Sequence, residues 1–323
     1  MRRRALLASV AAAGLTMQAR AQTLPRIAYV SGRSQETDGH LLAAFKEGLK
    51  TTGYVDGQNV AIDVRWADGH YDRVPSLLSE LVAGKPDVIA AVGGNLVGID
   101  AKKATSTIPV VFSAGADPVL IGLVSNLSRP EGNLTGITLW ASELDAKRLD
   151  LLRALLPQAR TVGLLMNPTN PGVAKEVVNM TEAAKTLGME LVIMNAETSS
   201  GVDRAFEAVP AGKLDALAVV ADAFLINYRD RILRLAAARK LPAIFPAREF
   251  VTDGGLASYG TRWADMYRIV GSYTGRILKG AKPGDLPIQR PNTYELLINL
   301  KAARALGLTV PSIMLARADE VIE

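Results

Sequence analysis

Short apolar runs alternate with amphipathic stretches along almost the whole chain after residue 25. Arg26–Val30, Asp87–Val92, Ile108–Phe112, Thr161–Met166 and Ala216–Ala221 are each too short for a helix and apolar enough for a buried strand. Val60–Trp66, Asn133–Leu139, Glu190–Met194, Pro242–Pro246 and Leu256–Tyr259 read as further strands. Between them the period lengthens. Leu42, Phe45 and Leu49 share one helical face in a segment closed by Gly53, a natural C-terminal residue. Helical spacing also runs through Asp72–Ala83, Ala101–Thr105, Glu143–Leu156, Gly172–Leu187, Gly201–Val209, Tyr228–Arg239 and Trp263–Leu278. Two more helices are expected over Val119–Leu127, with Asp117 capping a start at Pro118, and over Leu297–Leu306 as the closing element. Strands that alternate with helices in this way predict the α/β class, with parallel sheets covered on both faces. The rhythm restarts after Gly136–Trp140, which predicts two doubly wound lobes of similar architecture joined by a hinge. A Pro- and Gly-rich connector over 281–291 predicts a late crossing back between them.

Composition changes the picture at the N-terminus. Arg2-Arg3-Arg4 heads the apolar run Ala5–Met17, which ends at Ala19-Arg20-Ala21, so residues 1–21 read as an export signal. The formal charge of +5 owes four positive charges to that segment; without it 33 basic side chains face 32 acidic ones, which leaves no footprint for nucleic acid. Cysteine is absent, and with it disulfides, thiolate metal sites and a lipid-bearing N-terminal Cys. With His40 and His70 the only histidines, no metal site and no cofactor are expected.

Enzyme signatures are equally thin: Gly93-Gly94-Asn95 lacks the dinucleotide fingerprint, and phosphate-loop, nucleophile-elbow and zinc-helix motifs do not occur. The strand ends carry more. Ser31, Gly94, Asn95, Ser113, Ala114, Asn167 and Asp222 all fall at carboxyl edges of predicted parallel strands, where open α/β sheets bind ligands. Small residues there let a ligand approach main-chain N–H groups, and helix N-termini favour an anionic end. Asp117 or Asp222 offers a counter-charge for an ammonium group, while Trp140, Phe245 and Tyr259 offer an apolar or stacking wall. Asp117 ranks below its neighbours, because Asp before Pro also suits a helix start.

A series of short motifs then appears in a telling order. It begins with Phe45-Lys-Glu-Gly-Leu49, Gly53-Tyr54, Gly57-Gln58-Asn59-Val60 and Tyr71-Asp-Arg73. Ala104-Thr-Ser-Thr-Ile-Pro-Val-Val-Phe112, Asp117-Pro118, Arg129-Pro130 and Gly132-Asn133 follow. Lys147-Arg148-Leu149, Asn167-Pro168, Asn170-Pro171 and Ala318-Asp319-Glu320 complete it. With these the chain resembles the periplasmic substrate-binding proteins of ABC transporters, in the family of tryptophan/tyrosine-type binding components. The resemblance implies a type I periplasmic-binding fold, with 25–137 plus 261–288 as lobe 1 and 138–260 plus 289–323 as lobe 2. It implies a monomeric, non-enzymatic protein that closes over one small solute, most plausibly an amino acid, and docks on a membrane permease driven by a separate ATPase. It also adds Ala247 to the second lobe's pocket residues. A sugar or nucleoside binder of the same fold is the alternative, and an exported enzyme a more distant one.

Overall fold

In the computed structural model, residues 24–139 and 141–323 are described; the export segment 1–21 and Trp140 lie outside them. The chain runs β1 (Arg26–Ser31), α1 (Gln35–Lys50), β2 (Ala61–Trp66), α2 (Val74–Ala83), β3 (Val88–Val92), α3 (Asn95–Ala104), β4 (Val110–Ala114) and β5 (Leu134–Thr138). Across the first crossing it continues as α4 (Ala141–Leu155), β6 (Thr161–Met166), α5 (Val173–Thr186), β7 (Glu190–Asn195), α6 (Ser199–Glu207), β8 (Ala216–Val219), α7 (Ala223–Asn227) and α8 (Arg229–Ala238). Then follow β9 (Ala243–Phe245), α9 (Arg248–Thr252), β10 (Ala257–Thr261), α10 (Trp263–Leu278), β11 (Tyr294–Asn299), α11 (Leu300–Ala305), α12 (Ser312–Arg317) and β12 (Glu320–Ile322).

Two sheets result. The first has the order β2-β1-β3-β4-β5 and is parallel throughout. The second has the order β12-β11-β10-β9-β8-β6-β7, with β11 alone antiparallel to its neighbour β10. Read from β6, its parallel part repeats the strand order of the first sheet. Strands β3 and β4 are buried at every position, as central parallel strands covered on both faces must be. In each sheet the order reverses between the first and third strands, β1 and β3 or β6 and β8. The crevice outside the carboxyl ends of such a pair is where doubly wound sheets hold ligands.

Helix α10, although it directly follows β10 of the second sheet, packs on the first. Gly48 of α1 and Gly271 of α10 make this possible. A Cβ on Gly48 would sit 1.9 Å from the Arg268 carbonyl oxygen, and one on Gly271 2.0 Å from that of Phe45. The two backbones therefore touch where the helices cross. The crossings are tied together as well: Thr138 N–H donates to Gln289 O at 3.0 Å and Gln289 N–H to Gly136 O at 3.1 Å.

Two expected helices are corrected. After Asp117 the chain makes tight turns: Asp117 Oδ1 accepts from Val119 N–H at 2.8 Å, and Gly122 takes φ +72, which ends any helical run before it starts. The closing helix expected over 297–306 begins as strand. Leu296, Leu297 and Ile298 are buried by pairing with β10, and the helix starts only after Asn299, whose Oδ1 accepts from Ala302 N–H at 2.9 Å.

Candidate functional site

The two switch points face each other across a cleft of about 460 Å³, counted with its open mouth. One side is built by β1, β3 and β4 and the starts of the helices after them. Strand β3 ends in Gly93 (φ +74) and Gly94 (φ +140), backbone that only glycine adopts readily. The approach is close: a Cβ on Gly94 would lie 2.9 Å from the Tyr71 hydroxyl. Gly94 caps α3 with no side chain, so the first N–H groups of that helix have no side-chain partner at the cleft edge. Asn95 serves the frame. Its Oδ1 accepts from Gly115 N–H at 2.8 Å and Ala116 N–H at 3.1 Å, while its Nδ2 donates to Asn170 Oδ1 at 2.8 Å and Pro171 O at 2.9 Å on the opposite side. Ser113 Oγ accepts from Gly93 N–H at 3.2 Å, which leaves its own proton to donate into the cleft.

The opposite side centres on Asp222, which follows β8 as the N-cap of α7 and is 3% exposed. Its Oδ1 accepts from Leu225 N–H at 3.1 Å and so starts α7. The Tyr71 hydroxyl donates across to its Oδ2 at 3.4 Å, and Asn167 Nδ2 stands 3.5 Å from both oxygens. Among the described residues no cation pairs with it. Burial raises its pKa to about 6, and these hydrogen bonds only partly oppose that rise. Behind it, Asp145 and Arg148 pair at 2.8 Å with both side chains buried. Burial, then the Asp145 charge, pushes the neighbouring Glu176 up to about 8, so near neutral pH this acid stays protonated and the Arg148–Asp145 pair balances itself.

At the α10 end the cleft is lined by Arg33, Trp263, Met266 and Tyr267, with Ile226 and Leu139 completing the apolar surface. Arg33 is buried, pairs with Asp38 at 3.2 Å and lies over the Trp263 ring, its Cζ 3.6 Å from the centroid. The guanidinium is thereby neutralised, and one face of the indole is covered. Further contacts close the cleft from its rim. Thr37 Oγ1 donates to Asn227 Oδ1 at 3.0 Å, and His40 Nε2 meets Glu249 Oε1 at 3.2 Å. The hydrogen bond to Glu249 raises the His40 pKa. Glu249, despite burial that opposes it, is held below the usual carboxylate range by His40.

Of the residues expected from sequence, Gly94, Asn95, Ser113, Ala114 and Asp222 are brought together in the lining. Ser31 sits just behind it, its Oγ accepting from Arg33 N–H at 3.2 Å, and Asn167 stands behind Asp222. Asp117 is half-buried in its turn, Ala247 is buried at the start of α9, and Tyr259 packs on the far face of the second sheet with its ring 6.2 Å from Tyr294. Phe245 stacks on Phe250 in the core at 4.5 Å. Arg33, Tyr71, Asn170, Trp263 and Tyr267 were not foreseen. Arg33 directly follows the Ser31-Gly32 strand end and Trp263 opens a helix directly after β10, and those positions are signals that could have pointed to them.

Comparison with known proteins gives a consistent answer. The family model for ABC transporter substrate binding proteins matches residues 30–322. A tyrosine-binding protein of Clostridioides difficile is 30% identical over 279 residues, covering 85% of this chain and 80% of that protein. An ABC domain from Streptococcus pneumonia in complex with L-Trp superposes with a TM-score of 0.85 at 26% identity, covering 93% of this chain and all of that one. A ligand-free, open substrate binding protein from Clostridium difficile, also 26% identical, covers 93% of this chain and 99% of its own with a TM-score of 0.66.

Proposed function

The chain belongs to the ABC transporter substrate binding protein family, and we propose that its cleft captures a free amino acid with an aromatic side chain. Its fold is the type I periplasmic-binding fold of that family, and it is the substrate-binding component of an ABC importer. The observation that carries the ligand reading is the pairing of opposite charge preferences across one cleft. Among the described residues, Asp222 offers a buried carboxylate without a cation, and the open N-terminus of α3 offers N–H groups with no side-chain cap. The Tyr71 hydroxyl bridges them, 3.4 Å from Asp222 Oδ2 and 2.9 Å from a Cβ built on Gly94. We assign these two ends to the ammonium and the carboxylate of one α-amino acid. The ammonium pairs with Asp222, and the carboxylate takes the α3 N–H groups and the Ser113 hydroxyl. Arg33 does not compete for the carboxylate, because Asp38 and Trp263 already occupy it. The ring lies in the slot between Ile226, Met266 and Leu139.

The tyrosine- and L-Trp-binding proteins above support the same class. Equal identity but a higher TM-score to the L-Trp complex than to the open, ligand-free protein supports a closed arrangement of the lobes here. In this reading lobe 1 comprises 25–137 plus 261–288 and lobe 2 comprises 138–260 plus 289–323, in keeping with α10 packing on α1. The site residues are Gly94, Asn95, Ser113, Ala114 and Asp222, joined by Tyr71, Trp263 and Met266, with Ser31 and Asn167 supporting them from behind. The protein works without turnover, is exported by residues 1–21 to the periplasm and delivers its solute to a permease. Among the described residues no helix is long and apolar enough to cross a membrane.

Isothermal titration of the purified, refolded protein with L-tyrosine, L-tryptophan, L-phenylalanine, glucose and uridine tests the reading. Stoichiometric heat with aromatic amino acids alone is expected; heat with a sugar or nucleoside and none with amino acids overturns it.

A further inference from the structure

Helix α7 is a single turn with Asp222 as its N-cap and Asn227 as its last residue, and Ile226 between them lines the cleft. Asn227 reaches across to the start of α1. Its Oδ1 accepts from the Thr37 hydroxyl at 3.0 Å and, at a longer 3.4 Å, from Ser34 N–H. Ser34 is the N-cap of α1, and its Oγ accepts from Thr37 N–H at 3.2 Å. In a complete capping box, a Glu or Gln side chain at the third helical position accepts from the N-cap N–H in return. Thr37 holds that position here, and the Ser34 N–H goes to Asn227 instead. The cap of α1 is thus completed by a residue from the other side of the cleft. The turn at Gly69 makes room for it: a Cβ there would lie 2.6 Å from Asn227 Nδ2. Nδ2 itself has no hydrogen-bond partner among the described residues, so accepting through Oδ1 is the polar work of this side chain.

Resting on the amino-acid reading above, we propose that Asn227 is a positioning residue, the latch of the closed cleft, and that α7 ties this latch to the ligand. Asn227 completes the α1 cap only while the two lobes are shut. Asp222, which takes the ligand's ammonium, is fixed to the same turn: its Oδ1 accepts from Leu225 N–H at 3.1 Å and its carbonyl oxygen from Ile226 N–H at 3.0 Å. Whatever seats Asp222 against the ligand therefore also seats Asn227 against α1. When the lobes part, the Thr37 hydroxyl still has an acceptor in its own turn, the Ser34 carbonyl oxygen at 3.2 Å, and the Ser34 N–H is free to meet water. The bonds to Asn227 consequently stabilise the closed form and not the open one. Because Asn227 acts through closure and not by touching the ligand, it governs release and not encounter.

Rapid-filtration chase of radiolabelled L-tyrosine and, in parallel, L-tryptophan tests this, with calorimetric Kd values supplying the association rates. Asn227→Ala is expected to release ligand about ten- to thirtyfold faster, with association within about twofold of wild type. Asn227→Asp keeps the acceptor and places its charge at the N-terminus of α1, so its release rate is expected within about threefold of wild type. Thr37→Val is expected to release about three- to tenfold faster. Adding it to Asn227→Ala should change the rate by less than about twofold, because the two residues share one bond. The ligand-free variants are expected to melt within about 2 °C of wild type. Wild-type release from Asn227→Ala, release from Asn227→Asp as fast as from Asn227→Ala, or additive effects in the double variant overturns the latch and leaves the amino-acid reading standing. Wild-type protein that binds neither amino acid overturns the amino-acid reading itself, and the latch with it.

Discussion

Replacing Asp222 by asparagine should weaken the ligand and stabilise the empty protein at the same time. The carboxylate is 3% exposed and, among the described residues, unpaired with any cation. Burial raises its pKa from the ordinary 3.8 to about 6, a difference worth about 3 kcal/mol. The sign follows from proton linkage. Below pH 3.8 the group is protonated both folded and unfolded, and nothing is lost. Between 3.8 and 6 the unfolded chain ionises more readily than the folded one, and at pH 7 the whole 3 kcal/mol weighs against the fold. Asparagine carries no charge to bury, and its Oδ1 can still accept from Leu225 N–H and start α7. Scanning fluorimetry of the ligand-free variant at pH 7 should show a melting temperature roughly 2–6 °C above wild type. The ligand's ammonium loses its counter-charge in a buried site, which costs about 3 kcal/mol, or roughly 150-fold in Kd. Calorimetry with L-tyrosine should therefore show a large loss together with a more stable protein. An unchanged Kd would refute the ammonium assignment. A lower melting temperature would show that the charge itself holds the structure.

Three other outcomes follow from the same geometry. Asn95→Ala removes both acceptor bonds to the 115–116 turn and both bonds across the cleft, and should weaken L-tyrosine roughly ten- to fiftyfold by calorimetry; an affinity within twofold of wild type would mean that the cross-cleft bonds do not favour closure. Gly48→Ala drives a methyl into the Arg268 carbonyl, and should lower stability by about 3 kcal/mol or more in urea unfolding, whereas Gly39→Ala, which has open space on the same helix, should not. Wild-type affinity for L-tyrosine should peak in pH: it falls about tenfold from pH 7.5 to pH 5 as Asp222 protonates, and falls slightly, about twofold, as pH rises through the raised pKa of His40 and the contact with Glu249 loses its charge. Asp222→Asn should flatten the acid limb alone and His40→Gln the alkaline limb alone; a profile unaltered by either variant would sink both assignments.

How much of this was legible in the chain depends on how local each cause is. Buried parallel strands announce themselves as apolar runs, so the two βα series and the strand-end residues Gly94, Asn95, Ser113 and Asp222 could be read directly. Asp117 illustrates the limit of local reading. An Asp-Pro pair fits a helix start and a tight turn equally well, and the outcome turns on Gly122 at φ +72 further along. Leu297 and its neighbours were misassigned for a different reason. Their apolar spacing fits either period, and only pairing with β10 makes them strand. The largest omission is the Arg33–Trp263–Tyr267 end of the cleft, which is assembled by tertiary packing alone. It exists because α10 returns to the first sheet and crosses α1 with backbone against backbone, and the marks of that crossing in the sequence are glycines in separate helices, Gly48 in α1 and Gly271 in α10. Each reads locally as a weak helix position worth about 1 kcal/mol of lost propensity. Their meaning lies in the other helix. The residues that give the cleft its polar end are thus fixed by a contact that no window of neighbouring residues contains, whereas Asp222 and Gly94 follow from rules of strand order that hold for any doubly wound sheet. The strand-end side of the cleft is accordingly written in local sequence, and its α10 end is written in helix packing.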